Sequence, residues 1–179
     1  PPVGATTSTP RRAPISAPRE ALGDGVFATV DDAVDAAATA FRELDGMSLE
    51  GRQKIIASIR ESMFENAEEL ARLAHTETGL GRVEDKIIKN RLVTRKTSGT
   101  EVLTPQAVTG DNGLTLTEYA PYGVIGAITP TTNPTSTIIC NTIAMVSAGN
   151  SIVFNVHPNA RECSMANVRL IHQAITRAG

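Results

Sequence analysis

Apolar residues between positions 29 and 103 recur every three or four residues, the spacing that lines one face of a helix. Thr29, with Asp32 three residues later, is a capping-box type start and predicts a first helix that runs to about Leu44. A second helical stretch follows the sequence DGMS and is predicted to continue to the glycines of TETGLG. The apolar residues of these segments are Val30, Val34, Ala37, Ala38, Phe41, Ile55, Ile56, Ile59, Met63, Leu70 and Leu73. Residues 29–103 are therefore predicted to form a helical block.

A further helix of this block is predicted in the sequence RVEDKIIKNRLVTRK. Glu84 and Asp85 lie at its amino-terminal end and basic residues follow them, an order that complements the helix dipole. The basic residues are Lys86, Lys89, Arg91, Arg95 and Lys96. Because charged side chains of a surface helix normally face water, we expect these five to form solvated surface and no binding patch.

No Lys, Arg, Asp or Glu occurs between Glu118 and Arg161. Two short apolar runs in this region predict strands, and each is followed by a helical pattern that a glycine ends. The order is strand, helix, strand and helix, predicted over Gly123–Thr129, Thr135–Ala148, Ser151–Val156 and Asn159–Ala178. A single antiparallel strand is also expected near Leu114–Tyr119.

The missing charges indicate burial of this region. Strands that are apolar on both faces are typical of a parallel sheet with cover on both sides, and a charge-free helix must itself be covered by further protein. We therefore predict an α/β fold in which the helical block precedes a βαβα unit over residues 114–179. Two parallel strands are too few to complete such a sheet, so the sheet is predicted to be incomplete within the 179 residues.

Composition narrows the classes of partner. A net charge of −2 with 3% aromatic residues provides neither a basic field nor stacking surfaces, so no nucleic acid partner is expected. Residues such as Pro130, Pro134 and Asn141 interrupt every stretch long enough to span a membrane, so no membrane partner is expected either. Two cysteines are too few for a disulfide framework or a zinc site, which fits a reducing, cytoplasmic location and predicts no metal.

Residues 1–24 differ from the rest in composition. They are rich in Pro, Ser, Thr and Ala and show no apolar periodicity, which predicts an extended linker or tether. Because a linker joins two parts, we expect a further segment before Pro1.

Polar residues follow both predicted strands. The sequence TPTTNPTS (residues 129–136) follows the first strand and NVHPNA (residues 155–160) ends the second. Ligands of open α/β sheets bind beyond the carboxyl ends of the strands, where the next helix presents free N–H groups. Asn133 offers an amide that can donate to an oxygen gaining negative charge. We expect the two segments to outline one cleft.

The sequence from Ala120 to Ser164 resembles the cofactor domain of the aldehyde dehydrogenase superfamily, specifically its CoA-acylating branch. The segments TPTTNPTS and HPNA carry this resemblance, together with ETGLGRVEDK (residues 77–86) in the helical block. The resemblance implies that residues 25–179 are the N-terminal part of an NAD-binding domain with a Rossmann-like parallel sheet. It further implies a homo-oligomer, and the linker would suit a tether to the shell of a bacterial microcompartment, in whose lumen the enzyme would lie.

The chemistry implied by the resemblance is oxidation of a short-chain aldehyde, of propionaldehyde or acetaldehyde type, with NAD⁺. A cysteine thiolate attacks the aldehyde, hydride passes to NAD⁺, and the acyl thioester is transferred to coenzyme A. An alignment on Pro134 places Thr132 under the oxyanion asparagine of hydrolytic relatives, so Thr132 is an alternative to Asn133 in that role. The residues implied to bind cofactor are Ile128, Thr129, Pro130, Thr131, Thr132 and Asn133, with Asn155, His157 and Pro158 near the adenosine ribose.

Neither cysteine matches the nucleophile motif of this family. Cys140 lies inside the predicted crossover helix and Cys163 in the following helix, so the nucleophile is expected after Gly179. Two alternatives to an enzyme fragment remain open, a non-catalytic nucleotide-binding module and an interaction protein of a microcompartment. Cooperative unfolding of the isolated chain would favour either of them, whereas an exposed apolar sheet edge and aggregation would favour a fragment.

Overall fold

The computed structural model describes residues 22–179, so the predicted linker lies outside the described residues except for its last three positions. Four helices form the amino-terminal block, and two pairs of strands and two helices follow. The elements are α1 (Val30–Asp45), α2 (Leu49–Glu65), α3 (Ala67–Thr78), α4 (Val83–Lys96), β1 (Gln106–Gly110), β2 (Gly113–Thr117), β3 (Val124–Thr129), α5 (Pro134–Ser147), β4 (Ser151–Val156) and α6 (Arg161–Ala178). The predicted order of a helical block and a βαβα unit is confirmed.

The start of α1 is the one predicted from the sequence. Thr29 Oγ1 accepts a hydrogen bond from the Asp32 backbone N–H at 3.1 Å, and the Thr29 hydroxyl donates to the Asp32 carboxylate at 2.7 Å. The second helical stretch, predicted to be continuous, is instead broken at Asn66 into α2 and α3. The Asn66 side chain donates to the Ser62 carbonyl at 2.8 Å and so caps α2. Apolar residues are buried on both sides of Asn66, which is why their periodicity does not show the break.

The helical block covers the charge-free helix α5. Three isoleucines of α5, Ile138, Ile139 and Ile143, are fully buried and belong to one cluster with apolar residues of α2 and α6. That cluster also contains Ile59 and Met63 of α2. The cover that the α5 sequence requires is therefore largely supplied by this chain's own helices.

The strands β3 and β4 pair in parallel, with Ile125 opposite Ile152 and Ala127 opposite Phe154. The face that holds these residues packs towards the core, where Ala127 is buried and Phe154 is partly buried. The opposite face of β3 is open, and Ile128 on it is 84% exposed. Cover on both faces, as predicted for this sheet, is thus lacking over β3 within residues 22–179, whereas Ser151 and Val153 of β4, on the same face, are buried and partly buried.

The strands β1 and β2 form an antiparallel hairpin separate from the parallel sheet. The strand predicted near Leu114–Tyr119 corresponds to β2, but it pairs with β1 and does not extend the parallel sheet. All ten residues of the two strands are exposed. The pattern gave no indication of β1, because its sequence QAVTG contains little apolar alternation.

Candidate cofactor-binding site

The carboxyl ends of β3 and β4 lie side by side. Ile128 is opposite Asn155, and Thr129 is opposite Val156. The two polar segments predicted from the sequence therefore start from one edge of the sheet, as expected for a ligand site in an open α/β fold. Ile128 and Asn155 share the exposed face of the sheet, since paired residues of neighbouring strands point to the same side.

Alternation along β3 separates two of the predicted cofactor contacts. Successive strand residues point to opposite faces, so Thr129 is buried on the core side while Ile128 is exposed. The Thr129 hydroxyl is buried and has no hydrogen-bond partner among the described residues. A buried hydroxyl without a partner costs about 1–3 kcal/mol, so a polar group supplied by a ligand or by further chain would stabilise it.

The loop after β3 is attached to α4 by two lysines. Lys86 Nζ donates to the Thr132 carbonyl at 3.2 Å, and Lys89 Nζ donates to the Asn133 side-chain oxygen at 2.6 Å. Lys86 is only 7% exposed, so the expectation that all basic residues of this helix form solvated surface is wrong for Lys86. Burial, followed by the nearby charge of Lys89, lowers the pKa of Lys86.

A buried amide network fixes the first turn of α5. The Thr135 hydroxyl donates to the side-chain oxygen of Asn90 in α4 at 3.0 Å. The Asn90 side chain donates to the Ala67 carbonyl at 3.1 Å, and Asn167 of α6 donates to the Thr135 carbonyl at 2.9 Å. Asn90 and Asn167 are both buried. Thr135 is therefore committed to joining three helices and is not available for a ligand.

Asn133 and His157 each precede the first helical turn that follows their strand. Asn133 precedes α5, with Pro134 as the first helical residue, but its side chain makes no capping hydrogen bond to that helix. His157 does cap the turn that follows β4, because its Nδ1 accepts from the Asn159 backbone N–H at 3.1 Å. Of these two side chains, that of Asn133 thus makes no bond to the helix that follows it.

Both cysteines lie within helices, and the surroundings of Cys163 do not favour a thiolate. Cys163 is buried in α6, and its thiol donates to the Ala160 carbonyl at 3.4 Å. Burial, with a further contribution from the Glu77 carboxylate, raises the pKa of Cys163 to about 12, so its thiolate is scarcely populated near neutral pH. Cys140 lies partly buried within α5.

A mainly apolar cavity of about 360 Å³ lies away from the carboxyl ends of the strands. It is bounded by α1, β4 and α6, with Ala37, Phe154 and Ile171 in its walls. None of the residues predicted to bind cofactor lines this cavity. In residues 22–179, no helix combines the length and apolar character needed to cross a lipid bilayer.

The chain belongs to the aldehyde dehydrogenase family, since the protein-family model "Aldehyde dehydrogenase family" matches residues 22–179 of its sequence. It is 51% identical over 155 residues to "Acetaldehyde dehydrogenase (acetylating) EutE" of Escherichia coli strain K12. That match covers 87% of this chain and 33% of the relative.

Two solved structures are also similar, each at 52% identity and a TM-score of 0.85, and each covering 88% of this chain. One is a propionaldehyde dehydrogenase from the Clostridium phytofermentans fucose utilisation bacterial microcompartment, of which 36% is covered. The other is Rhodopseudomonas palustris propionaldehyde dehydrogenase with bound propionyl-CoA, of which 35% is covered. The chain thus spans about a third of the length of the relatives that it matches.

Proposed function

We propose that the polypeptide containing this chain is a CoA-acylating aldehyde dehydrogenase. It would oxidise a short-chain aldehyde of the propionaldehyde or acetaldehyde type with NAD⁺ and transfer the acyl group to coenzyme A. The observation that carries the proposal is identity of 51–52% over 87–88% of this chain to acetylating and propionaldehyde dehydrogenases. The nucleophilic cysteine would lie outside the 179 residues, in keeping with the buried, protonated Cys163.

The sheet edge fits a nucleotide cofactor in three respects. Ile128 presents apolar surface at the strand end, the buried Thr129 hydroxyl lacks a partner in the described chain, and the first N–H groups of α5 follow directly. We assign Ile128, Thr129, Pro130, Thr131, Thr132 and Asn133 to the nicotinamide half, and Asn155, His157 and Pro158 to the adenosine ribose. When bound, NAD⁺ supplies the hydride acceptor.

The loop between β3 and α5 would stabilise the oxygen of the reacting aldehyde. Asn133, or alternatively Thr132, would donate a hydrogen bond to that oxygen as it gains negative charge. Preorganised donors are effective in this role because they need no rearrangement during the reaction. The attachment of both residues to α4 through Lys86 and Lys89 provides such preorganisation.

The assembly and location of the enzyme belong to the same proposal. A location within a bacterial microcompartment fits the origin of one similar structure in a fucose utilisation microcompartment. We further propose that the enzyme is a homo-oligomer there. A segment before residue 1 would then contact the shell, with residues 1–24 as the tether.

The proposal is tested by NADH formation in the purified polypeptide that carries this chain, with propionaldehyde and NAD⁺, in the presence and absence of CoA. We expect sustained NADH formation only with CoA. Cys140→Ser and Cys163→Ser are expected to retain turnover, and Asn133→Ala to lower kcat by about 10²–10³-fold, the usual loss for one oxyanion donor. Sustained turnover without CoA would indicate a hydrolytic enzyme, and binding of NAD⁺ without any aldehyde oxidation would favour the non-catalytic module.

A further inference from the structure

Asn133 stands where a helix is normally capped by its side chain, yet it does not cap. Asn is among the preferred residues at this position, because its side-chain oxygen accepts from an N–H of the first helical turn. Here the side chain of Asn133 makes no such bond to α5. Its oxygen instead accepts from Lys89 Nζ at 2.6 Å. The Asn133 side chain thus contacts α4 and does not cap α5.

The lysine contact determines which end of the Asn133 carboxamide faces which way. A lysine ammonium group can only donate hydrogen bonds, so the atom that it contacts is the amide oxygen. The carboxamide is planar, and its nitrogen therefore points away from Lys89. The Asn133 nitrogen has only a long contact, of 3.5 Å, with the Thr132 hydroxyl. At least one N–H of the Asn133 amide is consequently left to donate to a ligand.

The backbone of the loop is oriented in the same sense. The Thr132 carbonyl accepts from Lys86 Nζ, and the peptide bond to Asn133 is trans. In a trans peptide the N–H points opposite to the carbonyl, so the Asn133 backbone N–H also faces away from α4. Lys86 and Lys89 are three residues apart and lie on one face of their helix. One helix face thus orients a side-chain donor and a backbone donor together.

We propose that Lys89 is a positioning residue for the oxyanion-stabilising amide: its ammonium group holds the Asn133 oxygen and thereby presents the Asn133 nitrogen to the aldehyde oxygen. This inference rests on the proposed function. A positive charge at the amide oxygen also polarises the carboxamide and makes its N–H groups stronger donors. Without Lys89, the Asn133 oxygen is free to cap α5, which would withdraw the nitrogen from the site.

The kinetic test compares Lys89→Met with wild type in the polypeptide that also carries the catalytic cysteine. We expect kcat for CoA-dependent NADH formation to fall on the order of tenfold, less than the loss of the donor itself, while KM for aldehyde, NAD⁺ and CoA changes less than about twofold. Lys89→Arg keeps a cation within reach and is expected to retain most of the activity. Lys96→Met, an exposed lysine of the same helix, is the matched control and is expected to be silent.

A double-mutant cycle and a crystal structure of Lys89→Met test whether Lys89 acts on kcat through the Asn133 amide. In the Asn133→Ala background, Lys89→Met is expected to lower kcat by less than about twofold, because the group that it positions is gone. A crystal structure of Lys89→Met should show the Asn133 oxygen within hydrogen-bond distance of the Ser136 backbone N–H, with a melting temperature equal to or above that of wild type.

Specific results would overturn the proposal. Unchanged kcat in Lys89→Met, additive losses in the double mutant, or an unmoved Asn133 carboxamide would each show that Lys89 does not position this amide. A rise confined to KM for CoA or NAD⁺ would show instead that Lys89 binds a phosphate of the cofactor. Absence of CoA-dependent NADH formation in the wild type would refute the proposed function itself. Unchanged kinetics of Lys89→Met in an active enzyme would refute only the positioning role of Lys89.

Discussion

Glu77 caps a helix that lies far from it in the sequence. Its carboxylate oxygens accept from the backbone N–H groups of Glu162 and Cys163, both at 2.8 Å, in the first turn of α6. The residue that precedes this helix, Ala160, has no side chain that could do so. Burial alone would raise the pKa of Glu77, but the hydrogen bonds from Cys163 and Glu162 outweigh it and the pKa is lowered.

Glu77→Gln is expected to lower the free energy of unfolding by about 1 kcal/mol near pH 7, the usual effect of losing a helix cap. Because the folded-state pKa lies below the ordinary value of 4.5, this contribution is complete above pH 4.5. It is lost as the pH falls through the lowered pKa of the folded state. Urea unfolding of both proteins at neutral pH and at steps below pH 4.5 measures the difference.

The matched control for this prediction is Glu61→Gln, an exposed carboxylate of α2. It is expected to change stability little at any pH. Equal destabilisation by Glu77→Gln at neutral and at strongly acidic pH would contradict the assignment of the effect to the Glu77 charge.

Single residues of the loop could be predicted from the sequence, whereas their partners could not. Thr132 and Asn133 stand out because they follow an apolar strand and precede a helix. Lys86 and Lys89 look like any other charged residues of a surface helix, since nothing in their spacing shows that α4 passes the end of β3. The sequence stretch ETGLGRVEDK contains both Glu77 and Lys86, but its pattern alone predicts only the end of one helix and the start of the next.

Two helices end at glycines whose backbone conformations differ. Gly79 ends α3 with a φ of 67°, in the left-handed region, whereas Gly46 ends α1 with a φ of −77°, which any residue adopts. A Cβ added at Gly79 would meet no atom within 4 Å, so only its backbone conformation resists substitution. Glycine is thus required by the backbone conformation at the end of α3, whereas the conformation at the end of α1 accepts any residue.

Gly79→Ala is expected to destabilise the protein by about 1 kcal/mol, because a Cβ disfavours the left-handed conformation. Gly46→Ala serves as the control and is expected to be neutral or to stabilise by up to about 1 kcal/mol, by restricting the unfolded chain. Thermal or urea unfolding of the two variants beside wild type checks both signs. Equal effects of the two substitutions would show that the conformation at Gly79 does not determine its cost.

Helices and buried strands were predictable as elements because each has an apolar pattern that persists through burial. Features that leave the apolar pattern unchanged could not be predicted. The break at Asn66 interrupts no apolar periodicity. The strand β1 is exposed on both faces, so burial imposes no alternation on its sequence. The role of Asn66 in ending α2 is recognised only from the hydrogen bond that its side chain donates to the Ser62 carbonyl.

At the scale of the whole molecule, the hairpin is the least covered part. Val108, Leu114 and Leu116 expose large apolar side chains, and the antiparallel pair has free edges on both sides in the described structure. Exposed strand edges with apolar side chains favour pairing with other chains. The hairpin is thus the surface through which we expect the isolated chain to self-associate.

The expected outcome for the isolated chain is concentration-dependent association in sedimentation velocity experiments. Leu114→Lys combined with Leu116→Lys, which share one face of β2, should shift the distribution towards monomer. Ile88→Lys, a similarly exposed residue of α4, is the control and should leave the distribution unchanged. Association that persists in the double variant would place the contact elsewhere, for instance on the open face around Ile128.

The global fold class followed from the charge-free region, because burial of a strand–helix–strand unit leaves a long signature in the sequence. The sequence pattern did not show which helices cover this strand–helix–strand unit. Ile138 and Ile143 of α5 require apolar neighbours, but only the structure shows that Ile59 and Met63 of α2 are among them. Contacts between residues distant along the chain depend on how helices are arranged, which local patterns do not encode.

The capping of α6 by Glu77 has a consequence for the order in which the protein folds. The bond joins residues 85 positions apart, so the first turn of α6 gains this cap only after a large loop has closed. During synthesis, α3 emerges from the ribosome well before α6 exists. Glu77 is therefore in place before the helix that it caps exists, and the capping of α6 is expected to be a late folding event.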